Sequence, residues 1–165
     1  MKKWIKLLVL IAALVLVWSI YSSFFPLNDK QKIESVINSA SNAIEDQNLR
    51  RFSTFLSDNF TVESHNKEQV LERLRGFFFQ TKSLKVSIKY LKHENEDISP
   101  DTDKARVFLV AVVTGLINNQ KFQAFGEGGA DAILLSMSKA NGQWLIAKAN
   151  YVNITDPAKA FETFN

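Results

Sequence analysis

The hydrophobic period changes once along this chain, and that change restricts the fold more than any motif does. Ile33, Val36, Ile37, Ala40 and Ile44 recur at the spacing of one helix face, which describes an amphipathic helix to about Gln47. A shorter helical stretch carries Leu49, Phe52, Phe55 and Leu56, and a third stripe carries Val70, Leu71, Leu74, Phe77 and Phe78. From Leu84 the period becomes two. Leu84, Val86, Ile88 and Tyr90 alternate with Lys85, Ser87, Lys89 and Leu91, as in a half-buried strand. Helices in one block and strands in the next predict an α+β fold, with three helices followed by an antiparallel meander.

The punctuation agrees with this order. Pro26 closes an N-terminal apolar run, and Asn28 with Gln31 and Asn66 with Gln69 both have the spacing of a capping box. His93 to Asp103, HENEDISPDTD, is polar, contains a proline and reads as a connection. Ala105 to Ile117 is apolar on both parities, and Asn118-Asn119 turns the chain into a strand beginning near Lys121. Gly126, Gly128 and Gly129 mark a bulge or sharp bend. Ala140-Asn141-Gly142 makes another turn, and Trp144 to Val152 forms the last strand.

At 165 residues the chain suffices for one core and a terminal appendage. The appendage is residues 1–26. Leu7 to Phe25 carries no charge and is long enough to cross a hydrocarbon core of about 30 Å. Trp4 at one end, and Trp18, Tyr21 and Phe25 at the other, suit interfacial anchors, and Lys2, Lys3 and Lys6 favour a cytoplasmic N-terminus. Two readings stand: an uncleaved transmembrane anchor, or a signal peptide cut near Ser19. Either one exports residues 27–165, so an extracytoplasmic, periplasmic domain on the inner membrane is expected.

Beyond those lysines, basic and acidic residues are equal in number at 17 each. No Lys/Arg block with interleaved aromatics remains, so no nucleic-acid partner is expected. The absence of cysteine excludes disulfides, thiolate nucleophiles and Cys-ligated zinc. No cofactor or metal is expected either, because His93 has no second nitrogen ligand nearby and reads as a solvated loop residue, and His65 reads as an exposed linker residue.

The texture AIEDQNLRRFSTFLSDNFTVES, then NKEQVLERLRGFF, then a terminal NGQWLIAKANYV resembles the nuclear-transport-factor-2-like (NTF2-like, or SnoaL-like) superfamily over roughly Lys30 to Asn153. The resemblance implies a cone, with a strongly curved sheet wrapping the helices around a pocket. It also implies a choice among isomerases, cyclases, hydrolases, ligand binders and assembly domains, which fold alone does not make. Catalytic steroid-isomerase-like members place an aspartate base after the second helix and a tyrosine on the first. Here the first helix has no tyrosine and the base slot falls on Ser64, between Glu63 and His65.

The acid-base candidates are therefore Glu63, Tyr90 and Asp131, and the pocket candidates are Phe55, Phe78, Tyr90, Asp131 and Trp144. Asp131 shares strand parity with Ile133, Leu135 and Met137, so it is either an inner-face acid or a rim charge paired with Lys148 or Arg106. A triad of Ser64, His93 and Asp131 lacks a nucleophile elbow. The expected role is a membrane-anchored binding or assembly module for a small apolar ligand, a second copy of itself at the doubly apolar sheet face, or an envelope protein. The alternative is a pocket enzyme using Glu63, Tyr90 or Asp131.

Overall fold

The computed structural model describes residues 28–94, 102–124 and 130–154, with backbone only at 124, 130, 131 and 152–154. The anchor residues Trp4, Leu7, Trp18, Tyr21 and Phe25 lie outside the described residues. Among the described residues, no helix is long and apolar enough to cross a membrane.

The order is α1 (Asp29–Glu45), α2 (Leu49–Ser53), β1 (Leu56–Val62), β2 (His65–Asn66), α3 (Lys67–Gln80), β3 (Thr81–His93), β4 (Lys104–Ile117), β5 (Gln120–Ala124), β6 (Ala130–Ala140) and β7 (Gln143–Ile154). Both capping boxes form: the Asn28 and Asn66 side chains accept from the Gln31 and Gln69 backbone amides, and each glutamine side chain reciprocates. Asn118 and Asn119 both take positive φ, 52° and 65°, as do Asn141 and Gly142, 50° and 76°. Consecutive left-handed residues suit the tight hairpins that join β4 to β5 and β6 to β7.

One sheet runs β2-β1-β7-β6-β4-β3, with β5 also paired to β4. The sheet is mixed, which corrects the expected antiparallel meander. Between α2 and α3 the chain makes β1, which pairs parallel to β7 and brings Leu56 opposite Ile146. Leu56 was expected to continue a helix. Instead α2 stops at Ser53, where the Ser53 and Thr54 hydroxyls donate to the Arg50 and Arg51 carbonyls and turn the chain out.

The core lies between α1 and the concave face of the sheet. Ile33, Ile37, Ala40 and Ala43 of α1 pack on Val107, Leu109 and Ala111 of β4, Leu135 and Met137 of β6, and Trp144 and Ile146 of β7. Two polar clasps fix the end of α1 and the link after it against β3 and the last turn of α3. The Glu45 carboxylate accepts from the Val86 amide at 2.7 Å, and the Gln47 amide donates to Thr81 O at 2.9 Å and to Phe78 O at 3.3 Å.

Candidate functional site

An open groove of about 490 Å³ runs between the first turns of α1, the link from α2 to β1, and the β6–β7 hairpin. Its walls include Lys32, Val36, Phe55, Gln143, Trp144 and Leu145. Phe55 is held there by its carbonyl, which accepts from the Ile146 amide at 2.8 Å. Trp144 is 2% exposed and stands opposite Lys139 in the β6–β7 register. The Lys139 ammonium sits 5.6 Å from the centre of the indole, within cation–π range. Two of the pocket residues expected from sequence, Phe55 and Trp144, are thus brought together.

Behind this wall lies Asp29, in the first turn of α1. Its carboxylate accepts from Lys139 Nζ at 2.9 Å and from Lys32 Nζ at 3.2 Å, and its side chain is 7% exposed. The hydrogen bond from Lys139 holds the Asp29 pKa down to about 2, against desolvation, which pushes it up. The Trp144 indole and Lys32 act in the same direction as Lys139. A carboxylate so stabilised, between two lysines, is a poor proton acceptor near neutral pH.

The remaining candidates do not converge on this groove. Phe78 sits on α3 beside Phe77, ring centres 6.3 Å apart. Glu63 is exposed on the β1–β2 turn with φ 52°, beside exposed Ser64. Tyr90 is on the opposite side of the sheet from the expected one. A register shift between Ile88 and Tyr90 inserts Lys89, so Ile88 pairs with inward Ala111 whereas Tyr90 pairs with outward Val110. Leu91 takes the inward place and packs on the core. The backbone of Asp131 is in β6 opposite Asn153, and its side chain lies outside the described residues.

His93 corrects a second expectation. It is no loop residue but the last residue of β3, 4% exposed, with Nε2 3.1 Å from Glu34 Oε1 on α1 and, among the described residues, no hydrogen-bond partner for Nδ1. Sequence reading missed this pair, because Glu34 and His93 are 59 residues apart. Parity would not have found it either, because His93 shares the inward face of Leu91 only once the bulge at Lys89 is counted. Glu34 and Glu45 project from the flank of α1 that meets β3, whereas Asp29, Lys32 and Val36 project from the flank that meets the groove. Ser64 and His93 do not form a dyad. Among the described residues, no cluster of His, Asp and Glu suits a metal ion.

No family model matches this chain, and no curated protein matches it in sequence. Solved structures are similar in fold. A candidate scytalone dehydratase from Novosphingobium aromaticivorans superposes with a TM-score of 0.63 at 11% identity, over 76% of this chain and 83% of that one. LinA superposes with 0.58 at 16% identity, over 74% and 84%.

The fold is NTF2-like.

Bd1075 of Bdellovibrio bacteriovorus also matches, with a TM-score of 0.59 at 12% identity over 75% of this chain, which spans 41% of that protein's length. At these identities the likeness concerns architecture: a curved mixed sheet around few helices. The NTF2-like cone is here filled by the α1 core stripe, and the described groove opens at its flank.

Proposed function

We propose that this chain is a membrane-anchored, extracytoplasmic NTF2-like module that binds and assembles without catalysing a reaction. The observation that carries the reading is the chemistry of the groove. Its wall combines an apolar floor of Val36, Phe55 and Leu145 with Lys32, Ser35, Thr54 and Gln143. The carboxylate beside it, Asp29, is spent on two lysines. A working site needs a base within reach of the reacting proton and a second group to orient it. Among the described residues, the acid-base pair His93–Glu34 lies on the other flank of α1. The anchor half of the proposal rests on the uncharged Leu7 to Phe25 segment and its one-sided lysines.

The test is a topology reporter that is active only outside the cytoplasm, fused after Asn165, with carbonate washing of membranes. Activity and retention at full length are expected. Release of a fragment beginning near Ile20 would instead establish a signal peptide, and an inactive reporter would remove the exported reading.

The His93–Glu34 pair favours one rival. A carboxylate-oriented imidazole is the arrangement of a general base, and the comparison structures include a candidate scytalone dehydratase and LinA. In that reading the protein is an acid-base enzyme acting on a small apolar substrate, with Glu63, Tyr90 and Asp131 as further groups to test. Glu34→Gln separates the two. An unchanged affinity with turnover lost by orders of magnitude would install the enzyme.

A further inference from the structure

The groove lies at the end of the domain where the apolar N-terminal run joins it. Asn28 caps α1, and Lys32, Ser35 and Val36 on the first two turns form one wall. The facing wall is the tip of the β6–β7 hairpin, Gly142 and Gln143. Asp29 and Lys139, 2.9 Å apart, tie that hairpin to the first residue of the helix. The uncharged run ends at Phe25, three residues before Asn28. Fully extended chain of that length reaches at most about 11 Å. The headgroup region beyond each side of a hydrocarbon core is about 5–8 Å deep. Lys32 and Val36 follow Asn28 by about 6 and 12 Å along the helix axis. An anchored chain therefore holds this open groove at, or close above, the lipid headgroups.

The lining combines two chemistries. Val36, Phe55 and Leu145 are half-buried and make an apolar floor, backed by buried Trp144. Beside them stands Lys32, whose side chain is 41% exposed. One carboxylate, Asp29, ionised near neutral pH, answers two ammonium groups: Lys32 at 3.2 Å and the more deeply set Lys139. One positive charge is left over, and among the described residues no acid lines the groove. We infer that the groove takes a single-chain anionic amphiphile drawn from the bilayer, of fatty-acid chemistry, with its tail on Val36, Phe55 and Leu145 and its carboxylate at Lys32. The inference rests on the membrane-anchored reading and gives its groove a ligand class. Position and charge choose the occupant. A neutral apolar ligand leaves the surplus charge unanswered. A folded partner, acidic or not, has to enter between the domain and the bilayer to reach the tethered end. The volume of about 490 Å³ is that of a small-molecule site.

The test uses the full-length chain in phosphatidylcholine vesicles. The probe is palmitate carrying a diazirine in its tail, and the labelled peptides are mapped by mass spectrometry after illumination. Labelling is expected on the peptides that hold Val36, Phe55 and Leu145, and unlabelled palmitate should compete it away. Ser35→Trp, which fills the groove from an exposed helix position, should reduce it about tenfold or more. Asn42→Trp, exposed about two turns further along α1 and outside the groove, should leave it unchanged. Lys32→Gln should weaken palmitate labelling about fivefold and change labelling by a diazirine hexadecanol less than about twofold, since the alcohol brings no charge. Each variant is first shown to melt as the wild type does, and where Ser35→Trp does not fold, Thr54→Trp, also from an exposed position on the groove, replaces it.

No labelling of these peptides, or labelling that the groove-filling variant leaves unchanged, would overturn the site. Equal losses of palmitate and hexadecanol in Lys32→Gln would overturn the anionic head. A diazirine phosphatidylglycerol that labels the groove more strongly than palmitate would reassign it to a two-chain lipid, and 1-naphthoate competing better than palmitate would reassign it to a soluble acid. Either result overturns the occupant. Failure here with an active topology reporter removes this ligand and leaves the anchored-module reading in place. An inactive reporter with labelling intact keeps the site and overturns the exported bilayer as its source.

Discussion

At the scale of single residues, Asp29 joins sequence to site most directly. Its position follows from the Asn28 capping box, which makes Asp29 the first residue of α1, where its carboxylate meets Lys139 of the β6–β7 hairpin. Because its folded pKa of about 2 lies below the ordinary 3.8, ionised Asp29 stabilises the fold above about pH 4. That stability is lost as pH falls through about 2. The contribution is about 1 kcal/mol once discounted for the open groove beside it. Asp29→Asn should therefore lower the urea midpoint at pH 7 and merge with wild type near pH 2, as denaturation at the two pH values would measure. An equal deficit at both would assign the loss to packing. Phe55 and Trp144 were legible as neighbours of a groove because large aromatics beside turn signals end up at the rims of a core. Tyr90 was not legible. A bulge has no signature in the alternation it breaks, and one inserted residue reverses every later side chain.

At the scale of elements, the helices and hairpins could be read because their signals are local. Asn28/Gln31 and Asn66/Gln69 each close reciprocal hydrogen bonds within one turn, and Asn-Gly supplies its own left-handed turn. The strand β1 could not be read, because Ser57, Asp58 and Asn59 suit turns better than strands. Its formation depends on β7, nearly a hundred positions later in the sequence. Gly115 shows the same dependence in one position. In β4 it faces Phe122 of β5, whose ring meets Phe77 of α3 edge-on at 5.8 Å. A Cβ on Gly115 would stand 2.8 Å from the Phe122 ring and 3.1 Å from the Lys82 carbonyl. Gly115→Ala should accordingly destabilise by about 1–3 kcal/mol. Phe122→Leu in the same chain should recover part of that loss, and thermal melts of the single and double variants would show it. No recovery would place the clash on Leu84 Cδ2, at 3.0 Å, or on the Lys82 backbone.

At the scale of the whole molecule, counting charges hides what folding does with them. Beyond the N-terminal lysines the chain is balanced, and its lysines are scattered too widely to form a basic motif. Strand pairing then gathers Lys82, Lys85, Lys92, Lys104, Arg106 and Lys148 onto one side of the sheet: period two aligns Lys104 and Arg106, and in β3 the two register shifts, between Lys82 and Lys85 and between Ile88 and Tyr90, bring three lysines at odd separations to the same face. The apolarity of both faces of β4 was visible in Ala105 to Ile117, and it raised the expectation of self-association through the sheet. The gathered cations oppose that association. At 0.1 M salt the Debye length is about 10 Å, comparable to the separation of two docked faces, whereas near 1 M it is about 3 Å. Light scattering in matched detergent should therefore find one chain per particle at low salt. A rise toward two is expected at high salt, where the apolar outer side of β4 acts unopposed. Val110→Glu, which places a charge there, should abolish the rise without changing the low-salt mass. A dimer that is tightest at low salt and dissociates as salt is added would mean the reverse: that acids from elsewhere in the chain answer the lysines, and that the partner of this face is a second copy after all.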